Sequence, residues 1–290
     1  MPEKDPTTES CRFPIRELSE RTQVNTVTIR AWERRYGLLT PQRTAKGHRL
    51  YSDTDVETIQ NVLSLAARGV PLGKVKALLN DQDTQAESND ADSWPQHIHE
   101  LEEAIRSYSS GRIEHLINEF FLNYPPSLCR KNLIEPTLNA LTSNQSKAAY
   151  LFTESALIRY TLFRLDSNKA KDKRPALTLI CGDNTPLWRL CLMAMELADA
   201  NYKVQIMCRP FGVKDGIDLS SKLDHTTTIF YQDGVWKGDE ARAITSALAA
   251  DKHLLTCGTA AILAEIKNDS NVFADLNQCI DFLINKPDCA

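Results

Sequence analysis

The stretch from Thr28 to Ser52, TIRAWERRYGLLTPQRTAKGHRLYS, leaves this chain few ways to fold. It opens with helical spacing, is cut by Gly37, crosses Pro41 and Gly47, and ends on a helix-starting signal. Just before it, Asn25 can accept from exposed backbone N–H groups and start a helix over Thr26 to about Tyr36. Ile29 and Trp32 fall on one side of that helix, and Thr26, Arg30 and Arg34 on another. Leu18, Ser19 and Val24 fit a preceding helix that ends near Thr22. Two short helices, a tight turn and a basic second helix predict a helix-turn-helix.

Gly37 ends the second helix, and Leu38 and Leu39 return to the core. Thr40 to Tyr51 then reads as a loop or small hairpin, a wing, carrying Arg43, Lys46, His48 and Arg49, with Gly47 permitting a tight turn. Ser52 to Asp55 is a capping box for a helix with Val56, Ile59, Val62 and Leu63 inward. Gly69 closes that helix and Pro71 opens another. Between Phe13 and Leu79 there are 11 Lys or Arg against 6 Asp or Glu, a net +5, although the whole chain carries −4. Basic charge interleaved with Trp32, Tyr36 and Tyr51 suits phosphate neutralisation and groove contact, so this segment reads as a double-stranded DNA-binding head. The residues that charge and spacing offer to DNA are Thr26, Arg30, Arg34, Arg35, Arg43, Lys46, His48, Arg49 and Tyr51. Trp32, Ile29 and Leu38 read as core, and Glu33 as an ion-pair partner for a neighbouring arginine.

The other segments follow from shifts in composition. Residues 1–12 read as a disordered tail, 13–79 as the head and 80–95 as an acidic linker. Residues 96–168 show four helical stripes and predict a helical bundle. Within 175–290, the runs Ala176–Cys181, Tyr202–Cys208, Thr226–Gln232 and Lys252–Cys257 are strand-like, with helical stretches between and after them. That alternation predicts a parallel sheet with covering helices, so the fold class is multidomain α and α/β. No run approaches the length of a membrane span, and the polar N-terminus lacks a signal-peptide core. The eight cysteines include no CxxC pair and fit reduced, buried thiols, so a cytoplasmic protein is expected.

The head resembles the MerR family of bacterial transcriptional regulators. The resemblance rests on Thr28-Ile29-Arg30-Ala31-Trp32-Glu33-Arg34, on Gly37-Leu38-Leu39-Thr40-Pro41-Gln42-Arg43 and on Gly47-His48-Arg49-Leu50-Tyr51. The wording Ala-Trp-Glu-Arg-Arg-Tyr-Gly is similar to the CarA/CarH and MlrA-like branch rather than to the metal sensors. One departure is Gln23, which stands in the turn where the family usually has glycine. The resemblance implies that Thr28, Arg30 and Arg34 lie at the major groove, while Arg43, His48, Arg49 and Tyr51 grip the backbone or minor groove. It implies a homodimer, or a higher oligomer, on inverted half-sites that distorts promoter DNA for RNA polymerase, at the bacterial nucleoid.

The same branch implies a flavodoxin-like C-terminal domain that holds cobalamin through D-x-H-x-x-G after the first strand. Here the loop reads Asp183-Asn184-Thr185-Pro186-Leu187-Trp188, so threonine replaces the cobalt-binding histidine and tryptophan replaces the glycine. The bundle motif of a Trp and, further on, Glu-His is reduced to Asn144 and Glu154-Ser155. No cobalamin or other cofactor is therefore expected, an unknown small-molecule effector stays open, and the chain is nearer to the MlrA-like regulators, which act on biofilm and extracellular-matrix genes. The alternative is a cobalamin-dependent light-sensing repressor of the CarA/CarH type. Two further readings are a nucleotide- or flavin-binding enzyme, for which the strand-end loops supply no acid–base set, and a module that only dimerises. The pair His97 and His99 lacks a third ligand at helpful spacing, so no metal site is expected.

Overall fold

The computed structural model describes residues 12–80, 93–143, 146–166, 174–183, 185–223, 226–266 and 270–285. Most of the expected tail and linker, together with Asn144 and Asn184, lie outside the described residues. The chain divides into two compact units, Met1–Gln145 and Ser146–Ala290.

In the first unit, α1 (Ile15–Thr22) leads through a short turn to α2 (Thr26–Ala31). Gln23 takes the left-handed conformation in that turn, with φ +55°. The Asn25 carboxamide caps α2 by accepting from Val27 N at 2.8 Å. Beyond Ala31 the helix widens into a π-helical turn, Trp32–Tyr36, which Gly37 ends at φ +60°. A hairpin of β1 (Gln42–Arg43) and β2 (Arg49–Leu50) follows, paired antiparallel. Asp55 accepts from Ser52 N at 2.8 Å and starts α3 (Asp53–Ala67); α4 (Leu72–Asn80) comes next. Phe13, Leu18, Ile29, Trp32, Tyr51, Ile59 and Val62 form a buried core. Each such Leu, Ile or Phe contributes about 1.5–3 kcal/mol, against about 0–1 kcal/mol for an exposed ion pair such as Arg16–Glu20. The core therefore fixes the head.

The described residues of this unit continue with α5 (Ser93–Arg106), α6 (Ser110–Asn123), the short α7 (Pro126–Cys129), a π-helical turn (Arg130–Ile134) and α8 (Glu135–Ser143). The Trp94 indole donates to Ala66 O at 2.8 Å and Ser93 N to Gly69 O at 3.0 Å, so the start of α5 is fastened to the end of α3.

The second unit opens with α9 (Lys147–Asp166). Parallel strands then alternate with helices: β3 (Ala176–Cys181), α10 (Leu187–Asp199), β4 (Lys203–Ile206), α11 (Val213–Lys222), β5 (Thr227–Tyr231), α12 (Gly238–Ala250), β6 (Leu254–Cys257), α13 (Thr259–Leu263), β7 (Val272–Phe273) and α14 (Leu276–Ile284). The sheet order is β4-β3-β5-β6-β7, all parallel. Leu179, Ile229 and Leu255 face α10 and α14, whereas Ile180, Phe230 and Leu254 face α11 and α12. Gly216 lets α11 approach closely, since a Cβ there would sit 2.4 Å from the Phe230 ring. The four expected strands are present. The fifth, β7, has two residues and leaves no periodic trace in a sequence. The fourth helical stripe, α9, belongs to this unit rather than to the helices before it. Its Ile158 and Leu165 join the core under α10, and Arg164 pairs with Asp199 at 2.7 Å.

Candidate nucleic-acid interface

Arg30 on α2 and Arg34 on the π-helical turn that continues it are exposed, as are Arg43, Lys46 and His48 on and around the hairpin. The hairpin tip is shaped by Gly47, whose N–H donates to Thr44 O at 2.8 Å at φ +82°, and by Thr44 N donating to His48 O at 2.9 Å. Glu33 ties hairpin to helix. Its largely buried carboxylate accepts from Arg49 Nε at 2.7 Å and lies 3.8 Å from the Arg43 guanidinium. That bond pushes the Arg49 guanidinium above its ordinary value, so the cation is permanent. The Glu33 ion pair is thus present, made to the hairpin arginines.

Two expected contacts are corrected. Thr28 is 2% exposed because its helix face packs inward with Ile29, so it offers DNA no surface. Tyr51 is fully buried and bridges backbone to Phe13, and among the described residues its hydroxyl has no partner. Burial, then the Glu33 charge, pushes the Tyr51 phenol up to about 12, so it remains neutral. Thr26 is half-buried in the first turn of α2. Arg35 is exposed but already engaged, donating to Asn123 Oδ1 at 3.2 Å. Sequence reasoning passed over Val27, which is 52% exposed in the first turn of α2, one turn before Arg30. An apolar residue facing water at the start of a basic helix was the available signal, since apolar side chains there can meet a thymine methyl.

Residues 13–82 match the family described as MerR HTH family regulatory protein. The chain is 33% identical over 184 residues to the HTH-type transcriptional regulator MlrA of Salmonella typhimurium, covering 61% of this chain and 72% of that protein. The Escherichia coli MlrA is 32% identical over the same shares. The HTH-type transcriptional repressor CarH of Myxococcus xanthus is 30% identical over 138 residues, covering 43% of this chain and 45% of CarH. This chain belongs to the MerR family, in its MlrA/CarH branch. It is a DNA-binding transcriptional regulator, and the helix-turn-helix and hairpin described above are its MerR head.

In this MerR regulator the second unit carries its own polar cluster, at the carboxyl ends of β3 and β5. That is where open parallel sheets hold ligands. Trp188 is 2% exposed; its indole donates to Tyr150 Oη at 2.9 Å and its N–H to Glu154 at 3.2 Å. Thr185 is buried, and its hydroxyl accepts from Asp233 N at 3.4 Å; Asp183 is exposed. The Gln232 amide lies against Gly182, where a Cβ would fall 1.3 Å from Oε1. Asp233 accepts from Tyr231 Oη, from Arg189 at 3.3 Å and from Thr259 N at 3.2 Å. Tyr231, Arg189 and Thr259 are thus gathered on the Asp233 carboxylate.

The remaining motifs separate in space. His97 sits in an aromatic cluster 5.1 Å from the Phe120 ring, while His99 is exposed beside Glu103. Burial pushes the Cys181 thiol up to about 11 and Cys191 up to about 12, so neither is a ready nucleophile. Among the described residues no helix is long and apolar enough to cross a membrane.

Proposed function

We propose that this MerR regulator binds promoter DNA as a homodimer and distorts it, altering how RNA polymerase engages the promoter, without cobalamin. The observation that carries the reading is the exposed basic row of Arg30 on α2 and Arg34 on the π-helical turn after it, with Arg43, Lys46 and His48 presented by a hairpin that Glu33 anchors to that turn. Arg30 and Arg34 suit the major groove, Val27 an apolar base edge, and the hairpin cations the phosphates. Two heads related by a two-fold axis match inverted half-sites. Bending a site of this kind costs about 1–6 kcal/mol, which the additional phosphate contacts of the hairpin offset.

The parallel order 2-1-3-4-5 of the C-terminal strands supports a flavodoxin-like reading of the second unit. Its crevice does not suit a corrinoid: threonine stands where the resemblance puts the cobalt ligand, and the buried Trp188 indole, bonded to Tyr150, stands where it puts a glycine. The similarity to MlrA-like proteins extends the proposal to biofilm and matrix genes, and the DNA partner implies the cytoplasmic nucleoid. The role is regulatory rather than catalytic. Enrichment of duplexes from a random pool tests the reading. We expect an inverted repeat bound by two protomers, with sequence and affinity unchanged by adenosylcobalamin. Enrichment of no duplex, or affinity that follows the corrinoid, contradicts it.

A further inference from the structure

The recognition helix ends on a polar clasp. Asn123, 6% exposed at the C-terminus of α6, receives three donors from the π-helical turn that closes α2. The Trp32 indole donates to its backbone oxygen at 2.7 Å. Arg35 and Tyr36 both donate to its side-chain oxygen, at 3.2 and 3.3 Å. These partners lie 87 to 91 residues apart in sequence. A carboxamide oxygen has two lone pairs, so Arg35 and Tyr36 use all of its accepting capacity. Burial holds the Tyr36 phenol above its ordinary value, which keeps it a neutral donor, and Glu119 adds a negative charge facing the same group. Arg34, the adjacent residue, is exposed and makes no such bond among the described residues.

We propose that Asn123 withholds Arg35 from DNA, so that the helices behind the head set how many phosphates the recognition helix neutralises. Asn123 is a positioning residue: it touches no DNA and acts through Arg35. Any event that moves α6 away from α2 releases a cation next to Arg34 and adds one phosphate contact. The inference rests on the reading that α2 and the hairpin bind DNA.

The test is the salt dependence of affinity, measured on the full chain with a duplex enriched by the wild-type protein. Asn123→Ala should steepen the slope of log K against log salt by about 0.9, the effect of one added phosphate contact. Asn123→Asp retains an acceptor for Arg35 and should keep the wild-type slope. Arg35→Ala should leave the wild-type slope unchanged and cancel the steepening in the Asn123→Ala background. An unchanged slope in Asn123→Ala overturns the proposal, as does a flatter slope in Arg35→Ala alone. Should Asn123→Ala fail to fold, the Arg35→Ala slope still decides. Failure to enrich any duplex counts against DNA reading by the head, not against the clasp.

Discussion

Gln23 shows what one side chain in the wrong backbone region costs. It holds φ +55° in the turn between α1 and α2, where a Cβ crowds the following carbonyl and glycine does not. Gln23→Gly is expected to stabilise the chain by about 0.5–1 kcal/mol, the relief of strain exceeding glycine's added freedom when unfolded. Urea denaturation checks this: the midpoint should rise with the slope unchanged, and a lower midpoint contradicts it. The position of this turn was legible, because the resemblance marks Gln23 as the departure from glycine. The state of each cation was not. Arg34 and Arg35 are indistinguishable in the sequence, yet Arg35 is bonded to a residue 88 positions away. Tyr51 likewise reads as a groove contact in the sequence, and only its complete burial, with its backbone bridged to Phe13, shows that it is core.

At the scale of elements, local signals carried well where a cap or a glycine fixes an end. Asn25, Gly37 and Asp55 act as their chemistry dictates. The partner of an amphipathic stripe is a longer-range property, and α9 illustrates it. Its spacing resembles that of the helices before it, but its Glu154 reaches the first turn of α10 and accepts from Trp188 N. Burial raises the Glu154 carboxyl above its ordinary value of 4.5, outweighing the hydrogen bonds that lower it. A raised folded value means that the native state holds the proton more tightly than the unfolded chain. The stabilisation is therefore full below 4.5 and is lost as pH rises through the raised value. Relative to Glu154→Gln, the wild-type thermal midpoint should fall as pH is raised from below 4.5 to neutrality. A difference between the two proteins that does not vary with pH contradicts this assignment.

Over the whole molecule, charge is separated along the chain: 11 Lys or Arg against 6 Asp or Glu between Phe13 and Leu79, within a chain of net −4. An acidic chain with a basic head favours contact with DNA through one region only, since the rest is repelled by the phosphates. The parallel sheet of the second unit was legible from alternating strand and helix patterns. Its crevice was legible only in part, as Thr185 and Trp188 stand out in the sequence while the bonds of Tyr150, Glu154 and Asp233 require the fold. In the proposed complex α2 reads bases and the hairpin grips phosphates. The most direct test is the affinity of the full chain for its enriched duplex and for unrelated duplexes, compared with Arg30→Ala and Lys46→Ala across a range of salt. Arg30→Ala should cost about 1–3 kcal/mol on the enriched duplex and erase the preference for it, whereas Lys46→Ala should weaken all duplexes alike and flatten the salt slope by about 0.9. Wild-type affinity and slope in both variants would mean that neither α2 nor the hairpin meets DNA in this way.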